Sequence, residues 1–190
     1  MTQSIKRLFC AVKILPDDNF LESYRDLREA LAHERIKWVE EQNIHITLKF
    51  FGDTEVKRIP EISHVLENAG KRIPVFSFSL KGLGIFGSSY EPRVIWVGIE
   101  PYRELAEAMK VLRDELKKIG FEPDRQNLVP HLTLGRIKFL KDKLAFRKVV
   151  DDFRNISSGE IRVDSFILFE SLLKREGPEY IPLKKFMLLI

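Results

Sequence analysis

His45-Ile46-Thr47-Leu48 lies in the first half of the chain and His131-Leu132-Thr133-Leu134 in the second. The chain holds four histidines and four threonines, the latter at 2, 47, 54 and 133, so chance supplies roughly 0.08 His-x-Thr triplets rather than two. A strand turns alternate side chains to opposite faces. Read as strands, both phrases put His and Thr on one face and two aliphatic residues on the other.

Working outward, the run before each phrase repeats as well. A shift of 86 residues carries His45 onto His131 and lays Arg7-Leu8-Phe9-Cys10-Ala11-Val12 over Arg93-Val94-Ile95-Trp96-Val97-Gly98. This reads as a duplicated unit, about 1–85 and 86–190, each running strand, helix, His strand, helix, strand. In the first unit Phe20, Tyr24, Leu27 and Leu31 keep helical spacing after Pro16-Asp17, and residues 36–39 form a short apolar step. Gly52-Asp53 is expected to end the strand over 44–51. A helix starts near Pro60, turns Ile62, Leu66 and Ala69 inward and stops at Gly70, before a strand over 75–83. In the second unit residues 93–99 read as strand, and Leu105, Met109, Leu112 and Leu116 form the stripe of a helix ending at Gly120. Strands over 131–137 and 161–169, a helix over 141–154 and a short last strand over 185–189 complete the reading. The Gly-rich stretch 82–90 is expected to join the lobes. The fold class is α+β: one bilobal domain of two lobes with mainly antiparallel sheets flanked by helices, related by a pseudo-two-fold axis.

Composition narrows the classes. Thirty-two basic residues against 28 acidic ones give a net charge of +4, a mild excess compatible with an anionic substrate. The apolar run over 8–15 is broken by Lys13 and lacks a small-residue cleavage site, so it reads as a first strand, not a membrane span or signal peptide. The single cysteine, Cys10, forms no internal disulfide, which fits a cytoplasmic protein, and its apolar neighbours favour packing over reactivity.

Two imidazoles, titrating near ~6.5 when unperturbed, make an acid and a base at neutral pH. Flanking a cleft, His45 and His131 suit in-line displacement at phosphorus, with Thr47 and Thr133 as donors to the non-bridging oxygens. A phosphodiester is the natural guest. Alternation puts Lys49 on the His45 face, where it either favours a phosphate or stands as a solvated strand-end lysine. It puts Arg136 on the face away from His131, so Arg136 reaches the cleft only through a bulge, which Gly135 permits. His33 and His64 have no partner phrase and read as solvated. No close set of zinc ligands is visible.

At these residues the sequence resembles the 2H phosphoesterase superfamily, specifically the RNA 2',3'-cyclic phosphodiesterases also called 2'-5' RNA ligases. The resemblance spans nearly the whole chain. It rests on Arg7-Leu8-Phe9 with Leu15-Pro16, on residues 45–52 through Phe50-Phe51-Gly52, and on Gly82-Leu83-Gly84-Ile85-Phe86. It continues through Pro92 to Gly98, Pro130 to Arg136, Ser171-Leu172-Leu173 and Gly177-Pro178-Glu179-Tyr180. The resemblance implies the bilobal LigT-like fold and a metal-independent opening of a terminal 2',3'-cyclic phosphate to a 2'-phosphate, without cofactor. His45 is then the donor to the leaving 3'-oxygen and His131 the acceptor from water; Thr47 and Thr133 hold the phosphate, joined by Arg136. The reverse reaction, ATP-independent joining to a 5'-hydroxyl, uses the same site. The implied partner is RNA with a 2',3'-cyclic phosphate end, such as tRNA halves, met by a cytoplasmic monomer with no membrane association. Two other readings stay open: an RNA-end binding module without turnover, and a phosphodiesterase for small cyclic nucleotides. Paired histidines weigh against the first, since a pure binder needs no proton donor and acceptor in register.

Overall fold

The first strand ends at Lys13, and Asp17 caps the helix that follows, its carboxylate accepting the Phe20 N–H at 2.9 Å, so that helix α1 (Asp18–Ala30) turns Phe20, Tyr24 and Leu27 into the core. The computed structural model describes residues 4–88, 90–123, 130–175 and 177–190. Helix α2 (Ile59–Gly70) takes Pro60 in its first turn, where no hydrogen bond is lost, and buries Ile62, Leu66 and Ala69. Helix α3 (Arg103–Lys117) buries Leu105, Ala108, Leu112 and Leu116. Helix α4 (Lys143–Asp152) is capped by Asp142, which accepts from the Leu144 and Ala145 N–H groups.

The strands among the described residues are β1 (Ile5–Lys13), β2 (Arg35–Trp38), β3 (His45–Glu55), β4 (Phe76–Gly87), β5 (Pro92–Glu100), β6 (His131–Phe139), β7 (Ser157–Val163), β8 (Ser165–Leu173) and β9 (Pro178–Met187). They form two sheets, ordered β3-β1-β8-β9 and β2-β6-β5-β4-β7, with antiparallel ladders throughout. Each sheet mixes strands from both halves of the sequence. Helix α1 follows a strand of the first sheet yet packs on the second, where its Tyr24 hydroxyl reaches the Leu134 carbonyl of β6. Helix α3 follows a strand of the second sheet yet contacts α2 and β3 of the first.

Several boundaries depart from the sequence pattern. Gly52 does not stop β3: with φ at +71° it sits in the ladder opposite Leu8, and pairing continues to Glu55. The stretch 82–90 is not a joint between lobes, because β4 runs on to Gly87 and turns back into β5 of the same sheet. The expected strand over 161–169 divides at Asp164 into β7 and β8, which lie in different sheets. The last strand is longer and earlier than 185–189, since Tyr180 and its neighbours pair with β8.

The two motif strands share an irregularity that alternation does not foresee. In β3, Thr47 pairs with Ala11 and Lys49 with Cys10, leaving Leu48 as an additional residue. In β6, Thr133 pairs with Trp96 and Gly135 with Ile95, leaving Leu134 as the additional residue. Such a bulge exchanges the faces of everything beyond it. The next rungs are Phe9 with Phe50 and Val94 with Arg136, so the counterpart of Val94 is Phe9, one residue on from the Leu8 that the sequence superposition selects.

Candidate active site

The motif strands β3 and β6 belong to different sheets but approach within 8 Å, Cα to Cα. His45 follows a 3-10 turn (Glu41–Asn43) that aims the Asn43 carbonyl at its ring. Nδ1–H of His45 donates to that oxygen at 2.6 Å, which fixes the tautomer and leaves Nε2 for a substrate. Asn43 is itself held, its N–H on the Glu40 carbonyl at 2.8 Å and its amide on the Pro178 carbonyl at 3.1 Å. Phe9 and Tyr180 flank the imidazole, both with centroids 5.2 Å away, on a small apolar floor that includes Ala11 and Phe169. Burial among these rings pushes the His45 pKa below the usual imidazole value, partly opposed by the Asn43 carbonyl.

His131 stands edge-on to Phe86, at 4.7 Å and 85°, with Trp96 behind at 6.2 Å. Phe86 and Trp96 stack on each other at 4.9 Å. Gly84 allows this: a Cβ there would lie 2.2 Å from the Trp96 ring. Among the described residues the buried Trp96 indole N–H has no hydrogen-bond partner. Thr47 is exposed and Thr133 half-buried, and neither hydroxyl has a partner among the described residues.

The bulge at Leu134 carries Arg136 to the His131 and Thr133 face, and its charge reaches Tyr180 of the opposite sheet: burial pushes that phenol up, and Arg136 pulls it down. The bulge is pinned from below. The Leu134 carbonyl accepts the Val39 N–H at 2.8 Å and shares the one proton of the Tyr24 hydroxyl, 2.9 Å away, with the Val39 carbonyl at 2.6 Å. A Cβ on Gly135 would lie 2.9 Å from both Ile36 and Trp38, so glycine lets β2 close over the irregular strand.

Lys49 is not where alternation puts it. The bulge at Leu48 turns it to the Cys10 side, where it is buried and its ammonium donates to the Glu122 carbonyl at 2.7 Å. Phe50 takes its place on the His45 face, 4.8 Å beneath the Arg7 guanidinium. His33 lies beside Glu34 and His64 beside Asn68. Tyr90 is exposed, whereas Phe86, near the end of β4, stands against His131.

Residues 16–175 match the family model described as the 2'-5' RNA ligase superfamily. The chain belongs to that superfamily. It is 32% identical to the RNA 2',3'-cyclic phosphodiesterase of Methanothermobacter thermautotrophicus, over 96% of this chain and 98% of that protein. It is 33% identical to the RNA 2',3'-cyclic phosphodiesterase of Methanocaldococcus jannaschii, over 94% and 99%. Among solved structures, TT0787 of Thermus thermophilus aligns with a TM-score of 0.72 at 28% identity, covering 96% of this chain and 97% of that one. E. coli LigT complexed with 3'-AMP aligns with a TM-score of 0.72 at 24% identity, over 97% and 99%, and shares the fold.

For a superfamily member, the His and Thr residues are legible from the motif, but their supports are not. Asn43 acts through a backbone carbonyl, which any residue type supplies. Phe9 and Trp96 read as ordinary strand residues, and Phe86 as part of the stretch expected to join the lobes. Tyr24 reads as helix core, and only the position of the Leu134 carbonyl gives its hydroxyl a task.

Proposed function

We propose that this protein is an RNA 2',3'-cyclic phosphodiesterase. The observation that carries the reading is the placement of Arg136: the Leu134 bulge sets a guanidinium beside a His-x-Thr strand that faces a second such strand. The named relatives, similar over almost their full length, support the same substrate. In this reading Thr47, Thr133 and Arg136 hold the non-bridging oxygens of the cyclic phosphate. His131 takes the proton of a water whose oxygen bonds to phosphorus. The bond from phosphorus to the 3'-oxygen breaks, and Nε2 of His45 protonates that oxygen, leaving a 3'-hydroxyl and a 2'-phosphate.

Burial lowers the His45 pKa and so favours the neutral ring in the free protein, whereas a bound anion favours its imidazolium, the donor form. Every role is met by a side chain, and we infer that no metal is needed. With a 5'-hydroxyl in place of water, the same steps yield a 2'-5' phosphodiester without ATP, and tRNA halves bring both kinds of end. We further infer that the matching bulged ladders descend from one duplicated unit.

The test is an RNA with a 2',3'-cyclic phosphate, incubated in excess chelator and followed by phosphorus NMR. A 2'-phosphate end is expected. A 3'-phosphate, or turnover lost with EDTA and restored by one metal, overturns the mechanism.

A further inference from the structure

On the groove face of the second sheet, cations continue outward from Arg136. Strand β2 pairs Lys37 with Arg136 and Arg35 with Phe139, and Lys138 is an additional residue between the rungs. Lys37 and Arg35 are two positions apart on one strand, so they share a face about 7 Å apart. All four cations are exposed, and Phe139 keeps 55% of its surface open.

Among the described residues none of the four belongs to an ion pair, in a protein whose other surface cations are widely matched with carboxylates. The neighbouring acids are engaged elsewhere. Glu34 is buried and accepts the Lys141 and Asp142 N–H groups, Glu40 faces Arg28, and Glu41 holds Arg25 in a two-pronged bond. Among the described residues strand β2 is the edge of its sheet, and no further strand covers this flank.

We propose that Arg35, Lys37 and Lys138, with Phe139, form the track for the RNA strand upstream of the reacting phosphate. The inference rests on the phosphodiesterase reading and says where the polymer leaves the site. Exposed cations without carboxylate partners suit successive phosphates, and an exposed ring beside them suits a stacked base. Arg136 joins the track to the reacting centre.

The experiment compares a 2',3'-cyclic mononucleotide with a short oligonucleotide bearing the same end, at two salt concentrations, for the wild type and the R35Q/K37Q double variant. The variant is expected to turn over the mononucleotide like the wild type. On the oligonucleotide its salt dependence should flatten by two phosphate contacts, about sevenfold in kcat/KM over a fourfold change in salt. F139A should weaken the oligonucleotide alone and leave the salt slope unchanged. Equal oligonucleotide kinetics and equal salt slopes in variant and wild type, with the mononucleotide still hydrolysed, overturn the track and spare the activity. Failure of the wild type on both substrates overturns the activity itself, and the track with it.

Discussion

The hydroxyl of Tyr24, on the first helix, lies 2.9 Å from the carbonyl of Leu134, the additional residue that turns Arg136 into the groove. Tyr24 is fully buried, and the Val39 carbonyl lies 2.6 Å from the same hydroxyl. Replacing it with Phe removes the pin while keeping the ring. We predict a stability loss of about 1–2 kcal/mol and a roughly tenfold fall in kcat/KM on a cyclic phosphate. In an Arg136→Ala background Tyr24→Phe should cost little further activity, because its effect acts through Arg136. Fully additive losses in the double-mutant cycle would show that the hydroxyl serves folding alone.

His45→Ala and His131→Ala should each lower turnover by about 10²- to 10⁴-fold with the melting profile of a folded protein. The two losses should not multiply, since proton donation and acceptance serve one transition state. A single variant keeping half the wild-type rate contradicts the pairing.

The pH dependence has a defined sign. Burial lowers the His45 pKa, so the free protein loses the imidazolium as pH rises through a value below the usual 6.5. Bound phosphate raises that value. The alkaline limb of kcat/KM, which reports the free protein, should therefore lie at lower pH than the alkaline limb of kcat. Phe9→Leu opens the ring wall around His45 and should move the kcat/KM limb upward. Titration of the His45 ring by NMR reads the same shift directly, and a pKa at or above 6.5 in the free protein contradicts it.

Gly84→Ala tests the seat of His131. The new methyl displaces Trp96, and the stacked Phe86 with it, at an overpacking cost of about 1–3 kcal/mol. The expected result is a lower melting temperature together with a fall in kcat larger than the change in KM. An unchanged kcat in a destabilised protein means the aromatic pair does not orient His131.

Much of this site is legible in the sequence because its signal is local. The duplicated His-x-Thr phrase names four residues, and helical spacing finds α1 and α3. Lys49 shows where that legibility ends. Period-two alternation holds only while each residue has one partner, and the additional Leu48 moves Lys49 to the core side and brings Phe50 forward. The same event at Leu134 brings Arg136 to the groove, a placement the sequence left conditional on a bulge. Residues 161–169 read as one strand because apolar runs carry no mark of the sheet they will join. Strand exchange between halves is likewise a matter of long-range pairing, which no local pattern encodes.

That exchange has a consequence during synthesis. Strand β1 leaves the ribosome well before one of its two neighbours, β8, which begins at Ser165. Until then the growing chain offers an open, apolar strand edge at Phe9 and Ala11, an invitation to unwanted pairing. Tyr180, the wall of the His45 pocket, arrives later still. A polypeptide that stops short of β9 thus carries both His-x-Thr phrases without the ring that encloses His45, and under the proposed chemistry it stays idle until that strand locks home.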